Sequence, residues 1–299
     1  MPCEIIYSNP FSEKGQWFKG NLHTHSTYSD GLLTPKQLAY LYRNSGYSFL
    51  AITDHNKVAD VKELSTEDFL VIPGIEVDVD KGVLGSKYHI VGVDIEEEIK
   101  AENAQEAIDK IIELSGIPIV AHPYWSSLTL NDLLKLEKYL GIEVFNTTCE
   151  VDVLRGYSVV HWDMLLTAGR RVYGFAVDDA HWSFSQYKPV DACKAWIMVK
   201  AKELSREAIA ESIKKGLFYS STGPVIKNLE IKNDKIVVEC SPVKVVAFIA
   251  DHARGRVYFS QKNNLTRAEY RIKGDEIYIR IECKDSEGST AWTNPIFIK

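Results

Sequence analysis

Up to about Thr222, short apolar runs alternate along the chain with amphipathic segments. The apolar runs are rich in β-branched residues and have the length of strands; they are YSFLAITD, DFLVIPGIEV, YHIVGVDI, IPIVAHP, IEVFN, VYGFAVDD and KAWIMVKA. Apolar residues recur at helical spacing in residues 34–46, 104–116 and 205–216. Thr34 and Ser205 open two of these segments as helix N-caps do, and a glycine closes each of the three. The alternation predicts an α/β fold of βα units around a mainly parallel sheet, which can close into a barrel.

The pattern changes after the sequence STGP, at residues 221–224. Short runs of alternating character follow, and they are KIVVECS, VKVVAFIAD, GRVYFSQ, AEYRIKG, EIYIRIECKD and NPIFIK. Turn-forming pairs such as Asn233-Asp234 and Gly274-Asp275 separate them. We therefore expect two domains: a barrel over residues 1–222, and a small all-β, sandwich-like domain over residues 223–299.

The overall charge limits the classes of partner. The 299 residues carry a formal net charge of −6, with 25% charged side chains and no long basic run. This charge argues against broad affinity for nucleic acid or anionic membranes, although a small anionic substrate could still bind at cationic metals. We expect a small-molecule substrate, and no nucleic acid beyond nucleotides or short oligonucleotides. The sequence leaves the oligomeric state open.

The sequence gives no sign of export or of a membrane span. The first residues, MPCEIIYSNPFSEKG, lack a basic region followed by an apolar one, and no apolar run approaches ~18 residues. The five cysteines are scattered, odd in number and without CxxC spacing, which is typical of reduced thiols in a cytoplasmic protein. These cysteines are Cys3, Cys149, Cys193, Cys240 and Cys283.

Histidines and carboxylates gather at the ends of the predicted strands. In FKGNLHTHSTYSDG, His23 and His25 are two residues apart, so in an extended chain both side chains point to one face. Asp179 and His181 in DDAH have the same spacing. Other candidates follow strand-like runs in AITDH, PGIE and AHP, and the carboxyl ends of barrel strands converge on one face. The full set comprises His23, His25, His55, His89, His122 and His181 with Asp30, Asp54, Glu76 and Asp179.

Imidazole and carboxylate donors without cysteine are typical of Zn²⁺, Mn²⁺, Fe²⁺ or Co²⁺ sites. A single strand-end histidine is more often a hydrogen-bonded structural residue, but this many candidates at matching strand ends indicates a metal site. The number of donors exceeds the need of one tetrahedral ion, so two to three ions sharing a bridging carboxylate fit better. No metal-donor residues could be identified beside His161 and His252 in the sequence, and we interpret these two histidines as structural.

The ordered series NLHTHSTYSDG, AITDHN, PGIEV, YHIVGVD, AHP, IEVFN and DDAH resembles the PHP (polymerase and histidinol phosphatase) family of metallohydrolases. The resemblance spans about Gly20 to His181, and GLFYSSTGP extends it to the end of the first domain. It implies a distorted (β/α)₇, TIM-like barrel with three divalent metals. Histidinol phosphatase itself does not match, because the β domain is not part of its pattern. The more distant amidohydrolases also begin with HxH, but no bridging lysine is apparent here.

Carried over position by position, the resemblance implies three metal sites. His23, His25, Glu76 and Asp179 would hold the first ion. Glu76 would bridge to a second ion, completed by His89 and His122. Asp30, His55 and His181 would hold the third ion. Asp178 stands where many members have serine, and it stays unassigned.

The resemblance implies hydrolysis by a metal-bound hydroxide held by Glu76, Asp179 and His25. The first reading is a phosphoesterase acting on a small phosphorylated metabolite or nucleotide. The second is a carboxylester or carbamate hydrolase, because the C-terminal AWTNPIFI resembles a subgroup in which some members hydrolyse aryl carbamates. A non-catalytic module, as found within polymerases, is the third reading.

Several side chains are candidates for roles around the metals. Arg155, Lys57 and Asn146 are the candidate substrate-binding residues, with a solvated surface charge as the alternative for the two cations. Asp54 could either orient a ligand imidazole or cap the turn at the end of its strand. The adjacent aromatic residues Tyr124 and Trp125 could shape the pocket.

Overall fold

The computed structural model describes residues 4–182 and 190–299 of the chain, and Cys3 therefore lies outside the described residues. The strands of the first part are β1 (Ile5–Ile6), β2 (Gln16–Asn21), β3 (Phe49–Ile52), β4 (Leu70–Lys81), β5 (Lys87–Val93), β6 (Ile117–Val120), β7 (Gly141–Asn146), β8 (Tyr173–Val177), β9 (Trp196–Ala201) and β10 (Phe218–Ser221). The helices are α1 (Pro35–Asn44), α2 (Ala104–Glu113), α3 (Leu130–Lys135), α4 (Thr147–Val153), α5 (Val159–Thr167) and α6 (Arg206–Lys214). The remaining strands are β11 (Ile226–Lys232), β12 (Lys235–Val243), β13 (Val245–Ala250), β14 (Gly255–Phe259), β15 (Leu265–Arg271), β16 (Tyr278–Lys284), β17 (Thr290–Thr293) and β18 (Ile296–Ile298).

Seven strands, β2 to β8, follow one another in a single sheet in chain order. Neighbours are parallel except around β5, which runs antiparallel to both β4 and β6. A parallel bridge between Thr24 and Ala180 joins the residues just beyond β2 and β8. The backbone N–H of Asp179 donates to the carbonyl of His23, and that of His25 donates to Ala180, both at 2.9 Å. These bonds connect the first strand of the run to the last, as closure of a barrel requires, and the predicted α/β class is confirmed.

Local sequence explains the helices that periodicity predicted. Thr34 caps α1 in a reciprocal pair with Gln37, and Ser205 caps α6 by accepting from the N–H of Ala208. The predicted helices at 34–46, 104–116 and 205–216 are confirmed as α1, α2 and α6. The shorter α3 and α4 were not predicted, since six or seven residues are too few for a periodic signal.

Residues 225–299, all of which the structure describes, contribute strands and no helix. β11, β12 and β15 form a three-stranded sheet, whereas β13, β14, β16, β17 and β18 belong to the sheet that continues from the barrel through β9 and β10. Buried side chains from the two sheets, among them Leu229, Val238, Phe248 and Ile281, form one apolar cluster. The two sheets therefore pack face to face, and the division at residues 222/223 stays a prediction.

The barrel strands change character where they end. Buried apolar side chains such as Leu22, Ile52, Ala121 and Val177 occupy the last positions of the strands or those just beyond them. Polar and ionisable residues follow each of them directly in the sequence. The carboxyl ends of the parallel strands meet at one end of the barrel, so this change of character places the ionisable side chains together.

Among the described helices, none combines the length and the apolar character that a membrane-spanning segment would need.

Candidate metal centre

The predicted donor residues come from six strands and meet at one end of the barrel. β5 runs in the opposite direction to its neighbours, so His89 near its beginning lies beside Glu76, which faces the same end from β4. The other donors lie just beyond the strands. His23 and His25 follow β2, His55 follows β3, His122 follows β6, and Asp179 and His181 follow β8.

The most compact group consists of His23, His25, Glu76 and Asp179, all buried. Nε2 of His23 and Nε2 of His25 are 3.1 Å apart. Oδ1 of Asp179 lies 3.2 Å from the first nitrogen and 3.0 Å from the second, and Oε2 of Glu76 lies 3.4 and 3.3 Å from them. Four donor atoms thus converge on one point, and they belong to the four residues predicted for the first metal.

A second group of donor atoms comprises His25, Asp30, His55 and His181. Nε2 of His181 lies 3.4 Å from the carboxylate of Asp30, and Nε2 of His55 lies 3.7 Å from it. Nδ1 of His25 lies 3.8 Å from the same carboxylate, so His25 faces two groups with its two nitrogens. The structure brings together the three residues predicted for the third metal and adds His25 to them.

The third group differs from the predicted second site. Nδ1 of His55 and Nδ1 of His89 lie 2.9 and 3.0 Å from the two carboxylate oxygens of Glu76, and Oδ1 of Asp78 lies 3.1 Å from the same atom of His55. His122 reaches Glu76 at 3.4 Å but is not a member of this compact group. Asp78 was missed, although it follows Glu76 by two residues and hence shares its face of β4.

The outer nitrogens of three histidines are held by acceptors. Nδ1 of His23 lies 2.6 Å from Glu143, Nδ1 of His122 lies 2.9 Å from Oγ of Ser126, and Nδ1 of His181 lies 2.8 Å from the carbonyl of Asp179. With Nδ1 engaged in this way, Nε2 of each ring is directed towards the carboxylates. This is the usual arrangement around metal-ligating histidines, where the second nitrogen fixes the tautomer and the ring orientation.

The carboxylates dominate the electrostatics of the cluster. Burial alone would lower the pKa of His23, but the carboxylates of Asp179, Glu143 and Glu76 raise it well above its ordinary value. Burial would likewise lower the pKa of His55, but the adjacent carboxylates of Asp78 and Glu76 raise it to about 11. The cluster therefore attracts cations, either as protons on imidazole or as metal ions that displace those protons.

Two buried carboxylate oxygens without a hydrogen bond also indicate that the donor set fits divalent metal ions. Oε2 of Glu76 and Oδ1 of Asp179 are buried and accept no hydrogen bond of normal geometry, although imidazole nitrogens surround them. A buried carboxylate oxygen without a hydrogen bond is costly unless a cation balances its charge. Both oxygens point at the two Nε2 atoms of the most compact group, as ligands of one shared ion would.

Glu143, which the sequence reasoning missed, positions several of these residues. Besides His23, it accepts from the backbone N–H of His122 at 2.8 Å and from Nδ2 of Asn146 at 2.9 Å. Asn146, a predicted substrate-binding residue, is fully buried, and its amide also donates to Asp179 at 3.1 Å while its oxygen accepts from the N–H of Cys149. A carboxylate within the buried run IEVFN was the available signal for Glu143.

Asp54 and Asp178 are both buried and hold backbone segments. Asp54 accepts from the N–H and hydroxyl of Ser26 and from the hydroxyl of Ser29, each at 2.7 Å, so it caps the turn that follows His25. Asp178 accepts from Tyr42, Thr147 and the backbone N–H groups of residues 193–195. Burial raises the pKa of Asp178 to about 6, although these hydrogen bonds oppose the shift.

A cavity of ≈ 310 Å³ opens over the donor groups. None of the described residues lining it is a lysine or an arginine. Lys57 pairs instead with Glu98 at 3.0 Å, and Arg155 lies over the ring of Tyr124, 5.5 Å from its centroid. The lining comprises Asp30, His55, Glu76, His89, His122, Trp125, Thr148, Cys149, Asp152, Asp179 and His181.

A second cavity and the remaining histidines contribute no side chain to the three donor groups. A larger cavity of ≈ 490 Å³, between residues 58–65 and Arg206, contains none of the predicted ligands. His161 binds the carbonyl of Leu128 at 2.9 Å, and His252 is exposed beside Asp251. Burial raises the pKa of the Cys149 thiol, which is therefore neutral and unsuited to act as a nucleophile.

Comparisons with known proteins place these residues in a family. The family model described as PHP domain matches residues 21–188. An uncharacterized protein of Methanocaldococcus jannaschii is 30% identical over 144 residues, which are 43% of this chain and 81% of that protein. A 5′-3′ exoribonuclease of Haemophilus influenzae is 31% identical over 117 residues, which are 33% of this chain and 42% of that enzyme.

One solved structure is similar over nearly the whole chain. It is a two-domain protein of Bacteroides vulgatus containing a predicted PHP-like metal-dependent phosphoesterase. The superposition covers 94% of this chain and 95% of that one, with a TM-score of 0.50 and 15% sequence identity. At this identity the likeness supports the two-domain fold and nothing finer.

Proposed function

Since the chain belongs to the PHP domain family, we propose that it is a metal-dependent hydrolase that cleaves phosphoric esters of small metabolites or nucleotides. The observation that carries the proposal is the convergence of four buried donor atoms, from His23, His25, Glu76 and Asp179. A cluster of this kind is expensive to bury unless metal ions bind to it.

We assign the ligands to three positions. His23, His25, Glu76 and Asp179 would hold the first ion, and Asp30, His55 and His181 would hold the third with His25 beside them. Glu76 would also hold a second ion together with His89 and His122, and Asp78 would be an additional donor at that position. Zn²⁺, Mn²⁺ and Fe²⁺ suit these donors.

When bound, divalent ions would supply positive charge to the oxygens of the ester and would lower the pKa of a water from about 15.7 towards 7. The protein keeps the donor atoms in place, since Glu143 fixes His23 and Asp54 fixes the turn after His25. No described lysine or arginine lines the cavity, so its own side chains offer an anionic substrate no cation other than protonated imidazole. The names of the Haemophilus enzyme and of the Bacteroides structure support phosphorus esters as the substrate class.

A carboxylester or carbamate hydrolase is the second candidate. It is favoured by the same shortage of basic side chains and by Trp125, an aromatic ring in the cavity wall. A non-catalytic module is less consistent with the structure, because all nine side chains that were assigned to the three metal positions reach the cluster.

We also propose the cytoplasm as the compartment. Cys149, Cys193, Cys240 and Cys283 are free thiols, which persist in reducing compartments.

A hydrolysis panel in the presence of Mn²⁺ or Zn²⁺ tests the function. It compares nitrophenyl phosphate, a phosphodiester and a nucleotide bisphosphate with nitrophenyl acetate and a naphthyl carbamate, and the Asp179→Asn variant serves as the blank. Release from the phosphorus esters that is lost in the variant supports the phosphoesterase. Release from the carbon esters alone would replace it by the second candidate.

A further inference from the structure

Trp125 exposes a large aromatic surface inside the catalytic cavity. Its side chain lines the cavity and packs against the rings of His122 and His89, with centroids 4.9 and 6.0 Å away. Even so, 41% of Trp125 is exposed to solvent. A tryptophan that is anchored on one side and open on the other offers a flat apolar face to a bound molecule.

The turn that carries Trp125 is fixed at several points. The N–H of Ser126 donates to the carbonyl of His122 at 3.1 Å, and the N–H of Leu128 donates to Pro123 at 2.9 Å. The hydroxyl of Ser126 also contacts Nδ1 of His122 at 2.9 Å. The backbone that carries the indole is therefore held by bonds that also involve a predicted ligand, His122. The ring contacts with His122 and His89 restrict the indole itself, which lowers the entropic cost of binding to it.

The remainder of the cavity is unfavourable to a second anionic group. The short helix α4 completes the lining with Thr148 and Cys149 near its beginning and Asp152 near its end. The described lining contains no cationic side chain apart from the histidines, and Asp152 adds a carboxylate to it. A substrate part that extends beyond the donors thus meets an aromatic ring and a carboxylate.

We propose that Trp125 forms a subsite for a planar, uncharged aromatic leaving group, either an aryl alcohol or a nucleoside. The inference rests on the proposed function and narrows its substrate class. Water adds to the phosphorus of the ester, the bond between phosphorus and the leaving oxygen breaks, and that oxygen takes up a proton from the water. The leaving group lies against Trp125 before and after this step.

The first test compares leaving groups. Values of kcat/KM are measured for phenyl phosphate and adenosine monophosphate, each relative to glycerol phosphate, with the same metal present. Trp125→Ala should lower the ratio of aromatic to alkyl substrate about tenfold, and Trp125→Phe should retain most of it. Tyr124→Ala is the matched control, because Tyr124 is 43% exposed on the same turn but does not line the cavity.

The two aromatic substrates distinguish an aryl alcohol from a nucleoside as the leaving group. A loss confined to phenyl phosphate assigns the subsite to aryl alcohols, and a loss confined to adenosine monophosphate assigns it to nucleosides. An unchanged ratio for both substrates in Trp125→Ala would overturn the inference, as would an equal loss in Tyr124→Ala.

Binding of the free leaving groups gives a readout without turnover. Calorimetry with adenosine and 2-naphthol should show weaker binding to metal-loaded Trp125→Ala than to the wild type, with Trp125→Phe in between. If the wild type cleaves no phosphoric ester, the proposed function fails while this comparison still decides the subsite. Equal affinities in all variants would contradict the subsite itself.

Discussion

Glu143 lies in the middle of β7, and its two carboxylate oxygens face different partners. One oxygen contacts Nδ1 of His23, and the other accepts from the N–H of His122 and the amide of Asn146. Through Asn146 it is connected to Asp179. One buried carboxylate therefore positions residues from three strands without belonging to a donor group itself.

We predict that Glu143→Gln lowers the affinity for the first metal about 10- to 100-fold while the fold is kept. The amide can accept at one atom only, so its other end would place a donor against His23 or against the N–H of His122. Competition with a chromophoric chelator measures the affinity. Glu137→Gln is the control, since Glu137 is exposed and pairs with Arg170 away from the cluster. Equal affinities in the two variants would rule out a positioning role for Glu143.

At the scale of single residues, the spacing of residues and their places at strand ends predicted most of the metal-donor side chains. The same signals did not predict the residues that position those side chains. His23 with His25, and Asp179 with His181, could be found because alternate residues share a face. Asp78 follows the same rule after Glu76, but in the sequence it also resembles a solvated strand residue. Asn146 was expected to face substrate, whereas the fold directs its amide under the donors; sequence places a residue on a strand end without fixing its rotamer.

At the scale of elements, Asp132 joins α3 to the connection between β4 and β5. It is buried and accepts from the N–H and the hydroxyl of Thr129, from the N–H of Val83 and from the hydroxyl of Tyr88. Burial alone would raise the pKa of Asp132, but the hydrogen bonds lower it by more. The pKa of Asp132 is therefore below its ordinary value.

We predict that Asp132→Asn lowers the free energy of unfolding by about 1–3 kcal/mol at pH 7. Because the folded state lowers the pKa of this carboxyl, its contribution is present above the unfolded value of about 4 and disappears as the pH falls through the folded value. Urea unfolding at several pH values should thus show the difference between wild type and variant shrinking below about pH 4. A difference that stays constant down to pH 2 would contradict this explanation.

Elements with strong periodicity and capping residues were predictable, and those set by tertiary contacts were not. The helices α1, α2 and α6 have both signals in the sequence. The reversed direction of β5 has no local signal, because a buried strand has the same apolar pattern in either direction. The direction matters for the candidate site, since it brings His89 to the same end of the barrel as Glu76.

At the scale of the whole molecule, the C-terminal strands are bonded to the barrel. β17 pairs with β10, and Trp292 from β17 belongs to the apolar cluster that includes barrel residues. Arg280 on β16 is buried and forms a bidentate pair with Asp163 on α5, with both distances 2.7 Å. A composition change at residue 222 is visible in the sequence, but pairing between strands some 70 residues apart is not.

We predict that Asp163→Ala lowers the free energy of unfolding by about 1.5–3 kcal/mol, because the buried Arg280 would lose two charged hydrogen bonds and keep only its 2.6 Å pair with Glu282. Chemical denaturation measures the change. Glu137→Ala, which removes the partially exposed pair with Arg170, is the control and should cost about 0–1 kcal/mol. A loss no larger than that of the control would show that the pair adds nothing between the barrel and the C-terminal strands.

The measurement that tests the central claim most directly is the metal content per chain, determined by elemental analysis after Mn²⁺ or Zn²⁺ loading and dialysis. The wild type should retain about two to three ions. Asp179→Asn and His25→Ala should each lose at least one ion and all turnover, with an unchanged circular dichroism spectrum. A full metal complement together with full activity in either variant would contradict the assignment of these residues as ligands.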